Sequence, residues 1–324
     1  MKKIILLIDP PRKIEYADVS RHDMEGYTPL EVELTQRAIE EFTPCTIYTD
    51  IKKLMRRLWL YRKDLIFPMY WGQGNRNTKA LLPAICEARN IAYIGADCYT
   101  QTLCYDKFLA KKYAKAFRFK TPAGFMLRNT QSSEEINYTI HNLRLPLVIK
   151  PNFGGGSCGI SDNNLVDSYE NAKIVIERLF SNQYSPLLVE EYVEGNEISV
   201  LLLGNHACVD YCGETQLVLN GETFFQHKIW GFETKKLDFL HSHYQVSNLL
   251  PPTELQKARE LFLSLPKAEY LRVDGRLNEQ GFYVLELSAD CYLGPNSDFS
   301  ILFESMGKTH SDFLHYLAEN ALST

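Results

Sequence analysis

Residues 148–160 read Val-Ile-Lys-Pro-Asn-Phe-Gly-Gly-Gly-Ser-Cys-Gly-Ile, an apolar strand that ends in a lysine and passes directly into a glycine-rich loop. Glycines let backbone N–H groups approach phosphate oxygens closely, and Lys150 adds a positive charge. A Walker loop places its lysine after the glycines, so this stretch is not a Walker loop. Taken alone, it is also compatible with a flexible hairpin turn beside a surface lysine.

A second signal is a hairpin near the C-terminus, with strands predicted at 270–277 and 282–289. If its loop centres on Gln280, Asp274 lies opposite Glu286, and Arg272 lies opposite Ser288. These four side chains share one face, and the other, apolar face carries Leu271, Val273, Leu285 and Leu287.

The two carboxylates of this hairpin repel each other unless a cation or a proton lies between them. Mg²⁺ shared with nucleotide phosphates is a natural partner, and Arg272 could neutralise a phosphoryl group or an oxyanion. The alternative is that Arg272 forms ordinary salt bridges with both acids on a solvated face.

A third signal is the stretch 187–197, which reads Leu-Leu-Val-Glu-Glu-Tyr-Val-Glu-Gly-Asn-Glu. An apolar strand breaks here into an acidic segment, whose carboxylates and free backbone groups could hydrogen-bond an adenine and a ribose. The alternative is a solvated acidic loop between two strands.

The composition describes an ordinary globular chain. Its 324 residues suggest two domains or three smaller ones, and 45% are hydrophobic and 23% charged. The net charge of −5 gives no indication of a nucleic-acid or anionic-membrane partner. The apolar run Ile4–Ile8 is too short for a signal peptide or a membrane span. The eight cysteines include no C-x-x-C pair, so we expect a cytoplasmic protein without a disulfide framework.

Strand and helix patterns alternate up to about Gly95, which predicts a small α/β domain. Thr28, Pro29 and Glu31 have the spacing of a capping box, and the helix after them is predicted to bury Leu30, Leu34, Ala38 and Phe42. Within this part we predict strands at 2–8, 65–70 and 91–95 and a helix at 78–89. Beyond it we predict helices at 99–117, 253–264 and 300–322, strands at 147–150, 187–193 and 198–203, and a loop-like region at 216–250.

The order of these motifs resembles the ATP-grasp superfamily, and most closely the D-alanine–D-alanine ligase family. The resemblance runs from about Asn90 to Gly307 and rests on five motifs in sequence. They are Asp106-Lys107, the strand–Lys150–glycine loop, the Val-Glu-Glu-Tyr-Val-Glu-Gly-x-Glu stretch, Arg-Val-Asp and Leu-Glu-x-Ser. It implies an ATP-grasp fold, in which an N-terminal α/β domain (1–97) is followed by two α+β lobes (98–189 and 190–324) that clamp ATP.

The resemblance also implies roles for individual residues. The ATP-binding set is Lys107, Lys150, Gly155, Gly156, Ser157, Glu190, Glu191, Val193, Glu197 and Lys228. The metal ligands for Mg²⁺, or Mn²⁺, are Asp274, Glu286 and Ser288, while Arg272 and Lys228 are catalytic. Ser297 matches a serine that holds the second substrate, and Tyr292 and Trp71 are further candidates for substrate contact. For Trp71 the alternative is ordinary packing between domains.

The implied reaction joins a small-molecule carboxylate to an amine. The carboxylate attacks the γ-phosphate of ATP to give an acyl phosphate, which the amine then attacks. Two alternatives stay open: a nucleotide-binding protein that no longer ligates, and phosphoryl transfer to a small acceptor. A homodimer is expected only because relatives dimerise.

The substrate-side residues depart from the family pattern. Gly156 replaces a serine, Ile229 a tyrosine, and Ser288 an asparagine; Asp290, two residues further on, could compensate as a metal ligand. Cys291-Tyr292 replaces Pro-Gly, and Asp9-Pro10-Pro11-Arg12 replaces a glycine-rich segment that supplies a glutamate. We therefore expect an acid, and an amine, other than two D-alanines.

Overall fold

The computed structural model describes residues 2–10, 27–70, 77–155, 159–229 and 242–323. Trp71, Gly156 and Ser157 lie outside these ranges. Within them, the chain forms a three-stranded, a four-stranded and a six-stranded sheet, with helices packed on each.

The three-stranded sheet is parallel, with the strand order β2-β1-β3. Its strands are β1 (Ile4–Ile8), β2 (Cys45–Tyr48) and β3 (Leu65–Met69), and its helices are α1 (Pro29–Glu40), α2 (Ile51–Arg57) and α3 (Thr78–Ala88). Every residue of β1 is buried, as expected for a parallel strand covered on both faces. Within the described chain, the segment 91–95, predicted as a strand, forms a bridge between Tyr93 and Ile66 instead, because Gly95 adopts a φ of +101° and turns the chain away.

Helix α1 begins with the predicted capping box. Thr28 accepts from the backbone N–H of Glu31, whose carboxylate accepts from the N–H of Thr28. The predicted buried face was only partly correct: Ala38 is buried and Phe42 packs against the core, but Leu30 is 62% and Leu34 39% exposed. The core face carries Val32, Thr35, Ala38 and Ile39. At 100° per residue this stripe lies about a quarter turn from the predicted one.

The four-stranded sheet is antiparallel, with the order β4-β7-β5-β6. Its strands are β4 (Gly124–Leu127), β5 (Leu147–Pro151), β6 (Leu165–Val166) and β7 (Leu187–Glu191), and its helices are α6 (Ser133–His141) and α7 (Tyr169–Ser181). Side chains such as Ile149, Val175 and Val189 form a core of its own.

The six-stranded sheet has the order β11-β9-β8-β12-β13, and β10 pairs with β8. Its strands are β8 (Gly195–Gly204), β9 (Val209–Leu219), β10 (Phe224–Phe225), β11 (Ser242–Ser247), β12 (Tyr270–Asn278) and β13 (Gly281–Ser288). The helices α4 (Cys98–Tyr105), α5 (Lys107–Ala116) and α8 (Pro252–Leu263) pack on its apolar face. The segment 99–117, predicted as one helix, is thus two helices, and Asp106 between them caps α5 by accepting from the N–H of Leu109.

The prediction that 216–250 is loop-like was wrong for much of its described part, which contains the end of β9 and all of β11. Strand β9 escaped notice because its buried side chains include polar ones. Glu214 accepts from the hydroxyl of Ser247 and the N–H of Leu250, and Thr215 donates to Asp298. Such pairing lets polar residues occupy a sheet interior, and a hydrophobicity pattern does not register it.

The chain ends in two helices, α9 (Asp298–Ser305) and α10 (His310–Leu322), where one helix at 300–322 was predicted. Their apolar side chains, including Phe299 and Phe313, form a single core with Ile4 and Phe67 of the parallel sheet and Leu201 of β8. Two of the three sheets are therefore joined by one hydrophobic core. None of the described helices is long and apolar enough for a membrane span.

Acid is expected to destabilise this C-terminal region through His310. Its ring nitrogen lies 2.8 Å from the hydroxyl of Ser300, and burial lowers the pKa of the imidazole from 6.5 to about 4. Between these values the unfolded chain binds more protons than the folded chain, so stability falls as the pH drops through this window, by an amount on the order of 3 kcal/mol. Urea midpoints near pH 7 and pH 4.5 should differ less in His310→Gln than in the wild type, and equal differences would contradict this.

Candidate active site

The hairpin of β12 and β13 carries the predicted pairs. Asp274 is opposite Glu286 and Arg272 is opposite Ser288, as expected from the sequence. The turn centres between Glu279 and Gln280, half a residue before the predicted centre at Gln280. One extra residue at a β-bulge restores the predicted register. That residue is Leu285, which is only partly buried instead of lying in the core; Val284 is buried there.

Asp274 is the most heavily hydrogen-bonded acid of the hairpin. It accepts from the hydroxyl of Ser199 at 2.8 Å, the hydroxyl of Ser288 at 3.1 Å and Nη2 of Arg272 at 3.1 Å. Burial nevertheless raises the pKa of this carboxyl, against the lowering effect of Arg272. The existing donors thus leave its negative charge incompletely balanced, and a nearby cation would complete the balance.

Arg272 is held between two carboxylates. Its Nη1 donates to Asp298 at 2.8 Å, and the hydroxyl of Thr215 donates to the other oxygen of Asp298 at 2.6 Å. Burial opposes the charge of the guanidinium, but Asp274 and Asp298 outweigh it and raise the pKa of Arg272. The sequence analysis missed Asp298; its position directly after Ser297, at the start of α9, is the only signal that could have identified it.

Two lysines that were predicted to bind phosphate approach the hairpin from other elements. Lys107, the first residue of α5, donates to the carbonyl of Gly154 and lies 3.4 Å from Glu286. Burial alone would raise the pKa of Glu286, but Lys107, Lys150 and Arg272 together lower it. The glycine loop is tied to α5 at its base, because the N–H of Lys107 donates to the carbonyl of Asn152. Of the loop residues predicted to cover a phosphate, Gly155 is described and lies next to this anchor.

Glu190 binds two buried lysines at once. One carboxylate oxygen lies 2.6 Å from Nζ of Lys150 and the other 2.5 Å from Nζ of Lys111. Burial would raise the pKa of Glu190, and these two lysines reverse that effect and lower it. Burial also lowers the pKa of Lys111 to about 7; the charge of Lys150 adds to this effect and Glu190 opposes it. The sequence analysis missed Lys111, although it lies four residues after Lys107 on the same helix.

The segment between β7 and β8 carries the predicted adenine and ribose contacts. The side chain of Glu191 points to Arg144, with 2.9 Å between Nη2 and Oε2, and its backbone N–H donates to the carbonyl of Ala123. Val193 lies in the link between the two strands, and Glu197 lies on β8, where it binds Arg276. Lys228 follows β10; its Nζ is 3.4 Å from Glu222.

The described residues that were predicted to contact the substrate lie where the hairpin meets the N-terminal domain. The hydroxyl of Tyr292 donates to Glu31 at 2.8 Å, and its ring stacks on Tyr27 at 5.1 Å between centroids. Ser297 caps α9 by accepting from the N–H of Ser300. Asp290, considered above as a spare metal ligand, is instead ion-paired with Lys79 of α3. A small cavity in this region is lined by Tyr27, Met69, Tyr70, Tyr270, Asp290 and Cys291.

Within the described chain, no three His, Cys, Asp or Glu side chains are grouped to hold a metal ion. Mg²⁺, however, commonly binds through one or two carboxylates and completes its shell with phosphate oxygens and water. The hard oxygens of Asp274 and Glu286 fit that type of site. Ser288 donates its hydroxyl to Asp274 and would have to reorient to act as a third ligand.

Comparison with known proteins identifies the family. The family model described as "D-ala D-ala ligase C-terminus" matches residues 119–319. A D-alanine–D-alanine ligase from Thermoanaerobacter sp. (strain X514) is 24% identical over 272 residues, which cover 82% of this chain and 72% of that protein.

Two solved structures share the whole fold. The D-alanine–D-alanine ligase of Bacillus anthracis complexed with ATP has a TM-score of 0.72 at 16% identity, covering 100% of this chain and 98% of that one. The VanG D-Ala:D-Ser ligase of Enterococcus faecalis has a TM-score of 0.70 at 18% identity, covering 99% and 100%. The fold is therefore ATP-grasp, as predicted. The chain belongs to the D-alanine–D-alanine ligase family, whose members use ATP and Mg²⁺ to join a carboxylate to an amine.

Proposed function

We propose that this enzyme activates the carboxylate of a small acid other than D-alanine and joins it to an amine. The nucleotide lies between the four-stranded and six-stranded sheets. Its phosphates contact Lys107, Lys150, Lys228 and the loop residues Gly155, Gly156 and Ser157. The adenine contacts Glu190 and the backbone of Glu191 and Val193, and the ribose contacts Glu197.

One observation carries this proposal. The ion pair between Lys107 and Glu286 brings the start of α5, the base of the glycine loop and the acidic hairpin to a single point. Motifs almost 180 residues apart in the sequence thus meet where the terminal phosphate of a nucleotide would lie. When phosphate oxygens enter, they can replace Glu286 as the partner of Lys107, which frees that carboxylate for a metal ion.

The proposed metal ion is Mg²⁺, held by Asp274 and Glu286, with Ser288 as the weakest candidate ligand. Bound there, it would neutralise charge on the transferring phosphoryl group. Asp274 suits this role because its burial leaves its charge incompletely balanced.

In the proposed reaction, an oxygen of the substrate carboxylate attacks the γ-phosphorus and ADP leaves. The amine nitrogen then attacks the carbonyl carbon of the acyl phosphate, loses a proton, and inorganic phosphate leaves. Arg272 keeps its charge and has its position fixed by Asp274 and Asp298, so it can stabilise the oxyanion of the second step without reorganising. The positioned groups supply orientation and charge neutralisation, and the chemistry requires no covalent enzyme intermediate.

The residues around the proposed binding site of the acid substrate support a substrate other than D-alanine. Tyr292 occupies the loop after β13 and is fixed by Glu31 and Tyr27. Asp290, the first carboxylate after β13, is neutralised by Lys79. Apolar and tyrosine side chains therefore line most of the described cavity, and its one carboxylate already has a cationic partner.

A substrate panel tests the proposal. Phosphate release from Mg·ATP is measured with amino acids and other small acids, in D- and L-forms, singly and in pairs. Release that requires two partners, with a product mass equal to their sum less water, is the expected result. Efficient synthesis of D-alanyl-D-alanine would refute the proposed difference in substrate while leaving the ligase chemistry intact.

The same panel separates the two alternatives. Phosphoryl transfer to a small acceptor would form ADP with one partner and no amide product. A nucleotide-binding protein without ligase activity would bind Mg·ATP but show no stimulation by any pair; the hydroxyl of Ser288, turned to Asp274, is the observation that favours it. We also propose a cytoplasmic homodimer, by analogy with the family, and light scattering would test the dimer.

A further inference from the structure

Arg276 lies two residues beyond Asp274 on β12, among the segments proposed to hold ATP. It is opposite Glu197 on β8, and its side chain is only 3% exposed. Alternation along the strand places it on the same face as Arg272 and Asp274. The motifs found in the sequence did not include it.

The guanidinium donates four hydrogen bonds and makes one further ion-pair contact. Nε donates to Oε2 of Glu197 at 2.9 Å, and Nη2 lies 2.9 Å from the same oxygen. Nη2 also donates to the carbonyl of Lys228 at 3.2 Å. Nη1 donates to the hydroxyl of Tyr192 at 3.2 Å and the carbonyl of Phe225 at 3.3 Å. A planar fork whose three nitrogens all donate hydrogen bonds is held in one orientation.

The contact with Glu197 fixes one half of that carboxylate. Arg276 takes Oε2, while Oε1 makes no hydrogen bond to any residue in the described ranges. A carboxylate oxygen presented in this way accepts hydroxyl hydrogen bonds, and a ribose offers two adjacent hydroxyls. Without Arg276, the side chain of Glu197 would have several rotamers available, and ordering one of them would reduce the gain from ribose binding.

The contact with Lys228 fixes a backbone rather than a side chain. The carbonyl of Lys228 accepts from Arg276 and also from the hydroxyl of Tyr192 at 2.8 Å, and its N–H donates to that hydroxyl at 3.1 Å. The ring of Tyr192 lies 5.7 Å from the guanidinium carbon of Arg276. The backbone of Lys228 is therefore anchored, and its exposed ammonium group can exchange its partner, the exposed Glu222, for a phosphate.

We propose that Arg276 is a positioning residue that orients Glu197 towards the ribose and Lys228 towards the phosphates. The inference rests on the proposed ATP site. It adds that recognition of the ribose hydroxyls depends on a residue that does not touch the nucleotide. A purely structural arginine would affect stability and the affinity for every nucleotide alike, and would leave the preference for a ribose unchanged.

Calorimetry with Mg·ATP, Mg·2′-deoxy-ATP and Mg·3′-deoxy-ATP tests this without a known acid or amine. We expect the wild type to bind ATP at least about tenfold more tightly than one of the deoxy analogues, as a hydrogen bond to a charged group allows. Arg276→Met and Arg276→Lys should bring that ratio to within about twofold. Lysine keeps the charge but cannot reproduce the planar fork of hydrogen bonds. Arg118→Met is the matched control, because Arg118 pairs with Glu260 on the surface at 74% exposure.

One further variant separates the possible failures. Glu197→Gln should reduce the ratio as Arg276→Met does. If Glu197→Gln reduces it and folded Arg276 variants do not, the role of Arg276 is refuted and the ribose contact stands. If Glu197→Gln leaves the ratio unchanged, the assignment of Glu197 is wrong and the inference is overturned with it.

The proposed orientation of Lys228 can be tested without a substitution at Arg276. This test remains possible if the Arg276 variants do not fold. Tyr192→Phe removes one hydroxyl that touches both Arg276 and Lys228, and keeps the ring. It should weaken ATP binding by about three- to tenfold while leaving the ribose ratio unchanged. An unaltered ATP affinity in Tyr192→Phe would refute the proposed orientation of Lys228.

Discussion

Asp274→Asn or Glu286→Gln should each reduce ADP formation by about a thousandfold or more. Each substitution removes one of the two charges that would hold Mg²⁺ and preserves the shape of the side chain. In the folded protein Asp274 already has three donors, so asparagine keeps some of these contacts. The loss should therefore appear in catalysis and in metal binding rather than in folding.

Calorimetry of ATP binding gives a second measurement, which needs neither the acid nor the amine substrate. Mg²⁺ should tighten ATP binding to the wild type and have little such effect on either variant. Glu279→Gln serves as the control, since Glu279 is an exposed acid in the turn of the same hairpin. ADP formation that survives in both Asp274→Asn and Glu286→Gln would show that the metal assignment is wrong.

Arg272→Lys is expected to lower amide formation by about a hundred- to a thousandfold, as removal of an oxyanion donor does in other enzymes. Lysine keeps a positive charge but cannot reach Asp274 and Asp298 together with a rigid fork. ATP affinity should change little, because no proposed nucleotide contact is removed.

Product analysis distinguishes a defect in the second chemical step from a loss of activity in both steps. The variant should form acyl phosphate, trapped with hydroxylamine, at a higher ratio to amide than the wild type. Asp298→Asn should show the same imbalance to a smaller extent, because it loosens Arg272 without removing it. An unchanged ratio in both variants would exclude Arg272 from the amide-forming step.

The hairpin could be predicted from the sequence because a two-residue period fixes which side chains share a face. The register at Asp274 and Glu286 was correct even though the turn was misplaced by half a residue, since the bulge at Leu285 compensates. The extra residue of the bulge is itself a leucine, and the glycine at the register shift, Gly275, lies on the opposite strand. The sequence therefore contains no clear signal that Leu285 leaves the core.

Contacts between distant elements could not be predicted in the same way. Lys111, Lys79 and Arg276 are ordinary charged residues in their local sequence, and only the packing of sheets and helices brings them to Glu190, Asp290 and Glu197. Strand β9 was missed for a related reason, because its polar residues find partners on other elements. Local periodicity reports which face a residue occupies, but not what lies opposite that face.

The single core that joins the parallel and six-stranded sheets has a mechanical consequence. In the proposed site, one wall of the ATP cleft belongs to the six-stranded sheet, which shares a core with the N-terminal sheet through Phe299 and Phe313. The other wall is the four-stranded sheet, whose core is separate. Nucleotide binding is therefore expected to rotate the four-stranded sheet relative to the other two sheets, which move together. The ion pair of Lys111 and Glu190 should lie near the hinge of this rotation.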